Sequence, residues 1–140
     1  MLKRMYEQRG QAMVEFAITI PFFVIVTLIG MYIMFMLHDY FTLQEIAREA
    51  ARQRAVYTAE QLPDALLQAH IKRYAALSDT YSFEPSRDLQ VTFDNASSDA
   101  GMSDKFVAVK AVATKAKSKN IVYNILPDEL SYSLVMRQEW

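Results

Sequence analysis

One uninterrupted apolar run constrains this chain more than any other feature of its sequence. The run covers 22 residues, positions 16–37, and contains no Asp, Glu, Lys or Arg. As an α-helix it would be about 33 Å long, which matches a bilayer hydrocarbon core of about 30 Å. A core helix of a soluble protein is the alternative, but the rest of the chain could hardly bury a helix that is apolar on every face. The run therefore predicts a single membrane-spanning helix.

The residues that flank the run predict its orientation. Lys3, Arg4 and Arg9 precede it, whereas no Lys or Arg follows until Arg48. Positive charge is retained on the cytoplasmic side, so we expect a cytoplasmic N-terminus and a periplasmic C-terminal part. The run is longer than the apolar region of about 7–15 residues in a cleavable secretory signal peptide, and no small-x-small site follows it.

Composition gives no support for an enzyme or a nucleic-acid-binding protein. The net charge is −1, and the chain has no Cys, which excludes a disulfide framework, a thiolate nucleophile and a cysteine zinc site. The two histidines, His38 and His70, are far apart, and neither a G-x-S-x-G motif nor a Gly-rich phosphate loop is present. We therefore expect no catalytic residues, no metal and no cofactor.

A short motif lies where the basic N-terminus meets the apolar run. Gly10 ends the basic segment, and Glu15 follows five residues later. Glycine has no side chain and is a poor helix former, so it can present an extended backbone to a protease. A carboxylate near a helix start is favoured by the helix dipole, and Glu15 could have this interfacial role alone. In an apolar assembly, however, it would require a nearby cation.

Proline at position 21 lies well inside the predicted helix. It lacks an N–H group and clashes with the carbonyl of Ala17, which predicts a kink. We expect the hydroxyl of Thr19 to be close enough to bond a carbonyl that Pro21 frees. The alternative is a proline that a membrane helix simply tolerates.

Residues 9–21 read R-G-Q-A-M-V-E-F-A-I-T-I-P, and this string resembles the processing site of type IV prepilins. More narrowly, it resembles the TadE-like pseudopilins of tight-adherence (Flp pilus) machines. The resemblance implies that a prepilin peptidase cleaves between Gly10 and Gln11. It also implies that Glu15 and Phe16 set the assembly register, with Glu15 facing the new amino terminus of a neighbouring subunit, and that Pro21 marks local melting of the helix.

The function that the resemblance implies is that of a minor pilin or pseudopilin in a tight-adherence type IV pilus or secretion machine that serves cell adhesion. Its partners would be the prepilin peptidase, other pilins and an inner-membrane assembly platform, besides the lipid bilayer. The protein would reside in the bacterial inner membrane. Entry into an extracellular pilus, and a TadE-like as against a closely related TadF-like role, stay open. The alternative is an uncleaved single-pass anchor for a periplasmic adaptor or binding subunit.

The remaining pattern predicts a pilin-like α+β fold. We divide the chain into a leader (1–10), a transmembrane and stem helix (11–57) and an extracytoplasmic head (58–140). In the stem, Leu43, Ile46, Ala47, Ala50 and Arg54 recur at helical spacing, and alanines at 47, 50, 51 and 55 permit close packing.

In the head we expect a second helix that starts either at a capping box of residues 58–61 or at Leu62 with Pro63, and that runs to about residue 77. Three antiparallel strands follow it. Alternation of apolar and polar residues places strands at 88–93 and 131–137, and a Val- and Ala-rich segment places another at 105–117. Residues 94–104 form a polar loop with three aspartates. Their spacing does not follow a calcium-binding EF-hand loop, so a solvated hairpin loop is the preferred interpretation. Residues 121–126 are compatible with a short helix or a strand.

Overall fold

A computed structural model describes residues 2–57, 60–97, 103–116 and 124–138. Its first element, α1 (Leu2–Val56), is a single helix of 55 residues, about 82 Å long at the ordinary helical rise. The predicted long helix that continues from the apolar run into a stem is therefore confirmed. The stem part stays helical because good helix formers fill it and neither Gly nor Pro occurs between residues 31 and 56.

The second helix, α2 (Asp64–Tyr74), packs beside the stem through Leu67 and Ile71, which are both buried. It begins directly after Pro63, whose φ of −56° suits a helix start. The prediction of a helix to about residue 77 is too long, because Ala75 leaves the helical conformation with a ψ of 59°.

The head contains an antiparallel sheet of four strands, so the predicted α+β class is right but the predicted count of three strands is wrong. The additional strand has two residues, too few to produce a recognisable alternation of side chains. A four-residue helix, α3, lies between the first two strands. The elements are β1 (Tyr81–Ser82), α3 (Pro85–Asp88), β2 (Leu89–Ser97), β3 (Ser103–Lys115) and β4 (Glu129–Arg137).

The central strand is β3. One of its edges pairs with β2 and then with β1, and the other edge pairs with β4. The β2–β3 ladder continues to the pair Ser97–Ser103, inside the segment predicted to be a loop. Backbone pairing does not require apolar side chains, which is why the side-chain pattern missed this extension. The loop tip, residues 98–102, and residues 121–123 of the ambiguous segment lie outside the described residues, whereas Asn124 and Ile125 form a 3₁₀ turn.

The core lies between the inner face of the sheet and the stem half of α1. On β3, alternate residues are buried against this helix, and the predicted apolar stripe of α1 faces them. All four stem alanines are at most 2% exposed, which confirms that their small size lets another element approach closely. The apolar residues that these two elements contribute to the core cluster are Leu43, Ile46, Ala47, Ala50 and Ala51 on α1 and Val107, Val109, Ala111 and Ala113 on β3.

Candidate functional site

The motif identified in the sequence lies on the free part of α1. Gly10 and Gln11 are consecutive residues of this helix, and Glu15 is about 7.5 Å farther along its axis than Gly10. The Gln11 side-chain amide donates a 3.3 Å hydrogen bond from Nε2 to Oε1 of Glu15, on the exposed surface. Within the side chains that the structure describes, which begin at residue 11, no ion pair involves Glu15.

The hydroxyl of Thr19 has a different partner from the one expected. It donates to the backbone carbonyl of Glu15 at 2.7 Å. It does not bond the carbonyl of Ala17, which has no amide partner because Pro21 lacks an N–H group. A threonine hydroxyl in a helix reaches the carbonyl three or four residues earlier, so a partner two residues earlier was a wrong expectation. The helix continues through Pro21.

The apolar segment has no partner inside the chain. Every residue from 11 to 28 is exposed, and Met13, Ile18 and Phe23 are each at least 70% exposed. This is the one helix in the described ranges that is long and apolar enough to cross a membrane, and none of its most apolar stretch is buried. A core helix of a soluble protein would be covered, so the segment fits a single-pass membrane anchor.

Where the anchor meets the head, a buried carboxylate joins the two. Asp39 of α1 has no exposed side-chain surface. Its Oδ1 accepts a 2.7 Å hydrogen bond from the backbone amide of Ser78, and its Oδ2 accepts a 2.6 Å bond from the Ser78 hydroxyl. His38 Nδ1 lies 3.4 Å from Oδ1. These bonds hold the segment after α2 against the stem.

A second buried charge lies at the far end of the stem. Arg54 is 1% exposed, and its guanidinium donates to the Leu62 carbonyl at 2.6 Å and to the carboxylate of Asp64. Asp64 itself is largely exposed, so the ion pair opens to solvent on one side. The pair fixes the start of α2 on the stem.

The sequence analysis did not identify either buried polar contact. A usable signal was present, because Asp39 and Arg54 both continue the helical stripe of core residues that includes Leu43 and Ala50. A charged residue in an otherwise apolar stripe must be paired when it is buried. Their partners, however, come from other elements and are visible only in the fold.

A third polar contact stabilises α3, which directly precedes β2. Burial raises the pKa of the Asp88 carboxyl, but its hydrogen bonds from the Arg87 side chain and the Glu84 amide, with the charge of Arg87, outweigh burial and hold that pKa below its usual value. The bonds measure 2.7 Å from Arg87 Nε and 2.9 Å from the Glu84 amide. The same hydrogen bond, followed by the charge of Asp88, raises the pKa of Arg87.

Comparison with known proteins adds one match. No curated protein and no solved structure matches the chain. A family model described as TadE-like protein matches residues 10–52. That range starts at Gly10, includes Glu15 and Pro21, and ends inside the stem, before the head. Residues 10–52 are therefore similar to the TadE-like family, as the N-terminal motif indicated.

Proposed function

We propose that this protein is a minor pilin or pseudopilin of a tight-adherence type IV pilus or secretion machine, cleaved after Gly10 and assembled through α1. One observation carries the proposal. The exposed apolar helix surface of residues 11–28 contains a single carboxylate, Glu15, whose side chain accepts a hydrogen bond from the neutral amide of Gln11 at 3.3 Å. Such a surface requires a cover, and such a carboxylate requires a cation.

Cleavage would supply that cation. Removal of residues 1–10 gives Gln11 a new ammonium group, and a neighbouring subunit could place its own ammonium beside Glu15. An unpaired carboxylate among apolar helices costs at least several kcal/mol. Sliding one helix past another by a single turn, about 5.4 Å, would separate the two charges. Pairing of these charges would therefore select one register among the many that apolar side chains alone allow, with Phe16 packing beside the pair.

The location of the protein follows from the same helix. The positive charges of Lys3, Arg4 and Arg9 favour a cytoplasmic N-terminus, which would present Gly10 to a prepilin peptidase and the head to the periplasm. Residues on both sides of Gly10 are helical, so the peptidase would have to unwind this point. Glycine lowers the cost of unwinding by about 1 kcal/mol relative to alanine. Pro21 would loosen the helix again as it packs into an assembly.

Substitution of Glu15 tests the assembly mechanism. In the native cell we expect Glu15→Ala and Glu15→Gln to be processed and inserted but to be lost from the sheared pilus fraction or from crosslinks to other pilins. Thr19→Ala, which lies one turn further on and removes only a bond to the Glu15 carbonyl, is the matched control and should assemble normally. Normal assembly of both Glu15 variants would refute charge pairing as the register mechanism.

An uncleaved membrane-anchored adaptor or binding subunit is the second candidate. The observation in its favour is the continuity of α1 from Leu2 across Gly10, since an intact chain needs no change at this point. The two candidates predict different N-termini, Met1 for the adaptor and Gln11 for the pilin.

A further inference from the structure

A groove lies beneath the head, on the side that faces the membrane segment. One face of α1 forms its wall through Leu28, Met31, Tyr32 and Phe35, which are spaced for a single helical face. Ser78, Asp79 and Thr80 of the segment after α2 form the opposite side. The groove is open to solvent and has a volume of about 480 Å³, which is within the usual range for a small-molecule site. It is apolar on the helix side and polar on the head side.

The Asp39–Ser78 contact fixes the level of this groove along the helix. Both Ser78 bonds to Asp39 are shorter than 2.8 Å, so the polar side of the groove is held two residues beyond the end of the apolar run. The helix wall starts at Phe35, four residues before Asp39, and extends about 10 Å back toward the N-terminus, to Leu28. With the apolar run in a bilayer, the groove lies where headgroups and upper acyl chains of the head-side leaflet are found.

The charge of the side chains that line the groove indicates which lipid headgroup fits it. Among the described residues that line the groove, Asp79 is the one charged side chain, and none is a Lys or Arg. Asp79 is exposed, so its carboxylate can bind a cation without breaking a buried contact. An anionic headgroup would meet a like charge here, and an apolar helix of another subunit would leave Asp79 facing an apolar surface.

We propose that this groove seats a phospholipid of the head-side leaflet whose headgroup carries a primary ammonium. The ammonium lies against the Asp79 carboxylate, and the upper acyl chain lies along Leu28, Met31 and Phe35. The proposal rests on the membrane anchoring given under Proposed function. It does not depend on cleavage, on orientation or on pilus assembly.

Lipid retention by the full chain tests the proposal. The protein is reconstituted into vesicles with equal amounts of phosphatidylethanolamine and phosphatidylglycerol and is then extracted in mild detergent. Native mass spectrometry measures how much of each lipid stays bound to it. We expect about a threefold preference for phosphatidylethanolamine, the size that an exposed ion pair can produce. Asp79→Asn should abolish the preference. Glu129→Gln, an exposed carboxylate on β4, is the charge-matched control and should keep it.

A second variant tests the groove itself. Met31→Trp fills the space but leaves Asp79 in place, and it should lower retention of both lipids. The proposal is overturned if the wild type shows no preference or prefers phosphatidylglycerol, if Asp79→Asn keeps the preference, or if Met31→Trp retains lipid as the wild type does. Flotation of the vesicles separates these outcomes from failed anchoring, because a chain that does not float with the vesicles contradicts the membrane assignment instead.

Discussion

Removal of the Asp39 carboxylate should release the head from the stem at its membrane-facing end. The carboxylate is fully buried and accepts two hydrogen bonds from Ser78, at 2.7 and 2.6 Å. Asp39→Ala leaves the amide and the hydroxyl of Ser78 without this acceptor, and each unsatisfied buried group costs about 1–3 kcal/mol. Relief of carboxylate desolvation offsets part of this loss. We therefore expect the free energy of unfolding of the head to fall by about 2–4 kcal/mol.

Two further variants separate the contribution of the Ser78 hydroxyl bond from the loss of stability caused by Asp39→Ala. Ser78→Ala removes the hydroxyl bond but keeps the amide bond, so it should cost less, about 1–2 kcal/mol. Because Asp39→Ala has already removed the acceptor, adding Ser78→Ala to it should cost at least about 1 kcal/mol less than the same change costs in the wild type. Thr42→Ala is the matched control, since its hydroxyl bonds the His38 carbonyl one turn away on the exposed surface. It should stay within about 0.5 kcal/mol of the wild type.

Urea unfolding of the full chain in detergent measures these differences. The near-ultraviolet circular dichroism of the tyrosines reports on the head, because Tyr40 of α1 packs edge-on against Tyr132 of β4 with ring centroids 6.3 Å apart. An Asp39→Ala variant within about 0.5 kcal/mol of the wild type, or additive effects of the two substitutions, would refute this account of how the head is attached.

Three other predictions concern the head and its packing against the stem. Because the folded pKa of Asp88 lies below its usual value, its stabilising contribution is complete above about pH 4 and is lost as the pH falls through the folded pKa. Asp88→Asn should therefore be less stable than the wild type at pH 7, in a gap that closes on acid titration, and a gap independent of pH would contradict this. Ala50→Leu should cost about 1–3 kcal/mol by overpacking, with the exposed Ala69→Leu as a neutral control in urea unfolding. Asp64→Asn should destabilise more than Arg54→Met, because only the former leaves a buried guanidinium without its counter-charge, and the reverse order of unfolding midpoints would be the contrary result.

Local patterns predicted most of the fold. The stem stripe through Leu43 and Ala50 is buried as its spacing requires, and alternation located most of β4, starting two residues late. The two-residue strand β1 escaped because it is defined by its pairing with Lys115 and Thr114, more than thirty residues away in the chain. Strand ends were also misjudged, since the ladder continues through polar residues to Ser97.

Some residues of the candidate site could likewise be predicted from a local pattern, and others could not. Gly10, Glu15 and Pro21 lie within twelve residues of one another, so a linear motif was sufficient to find them. The contact between Asp39 and Ser78 joins positions 39 residues apart. The groove beneath the head depends on that contact, and no local pattern could have predicted it.

The N-terminus of the protein isolated from its native cell tests the central claim most directly. Intact-mass and peptide mass spectrometry of the membrane and pilus fractions would identify it. The account predicts a chain that begins at Gln11, lighter by the mass of residues 1–10, and a chain of full length in cells that lack the prepilin peptidase. A chain that begins at Met1 in cells with an active peptidase would contradict it and would favour the uncleaved adaptor.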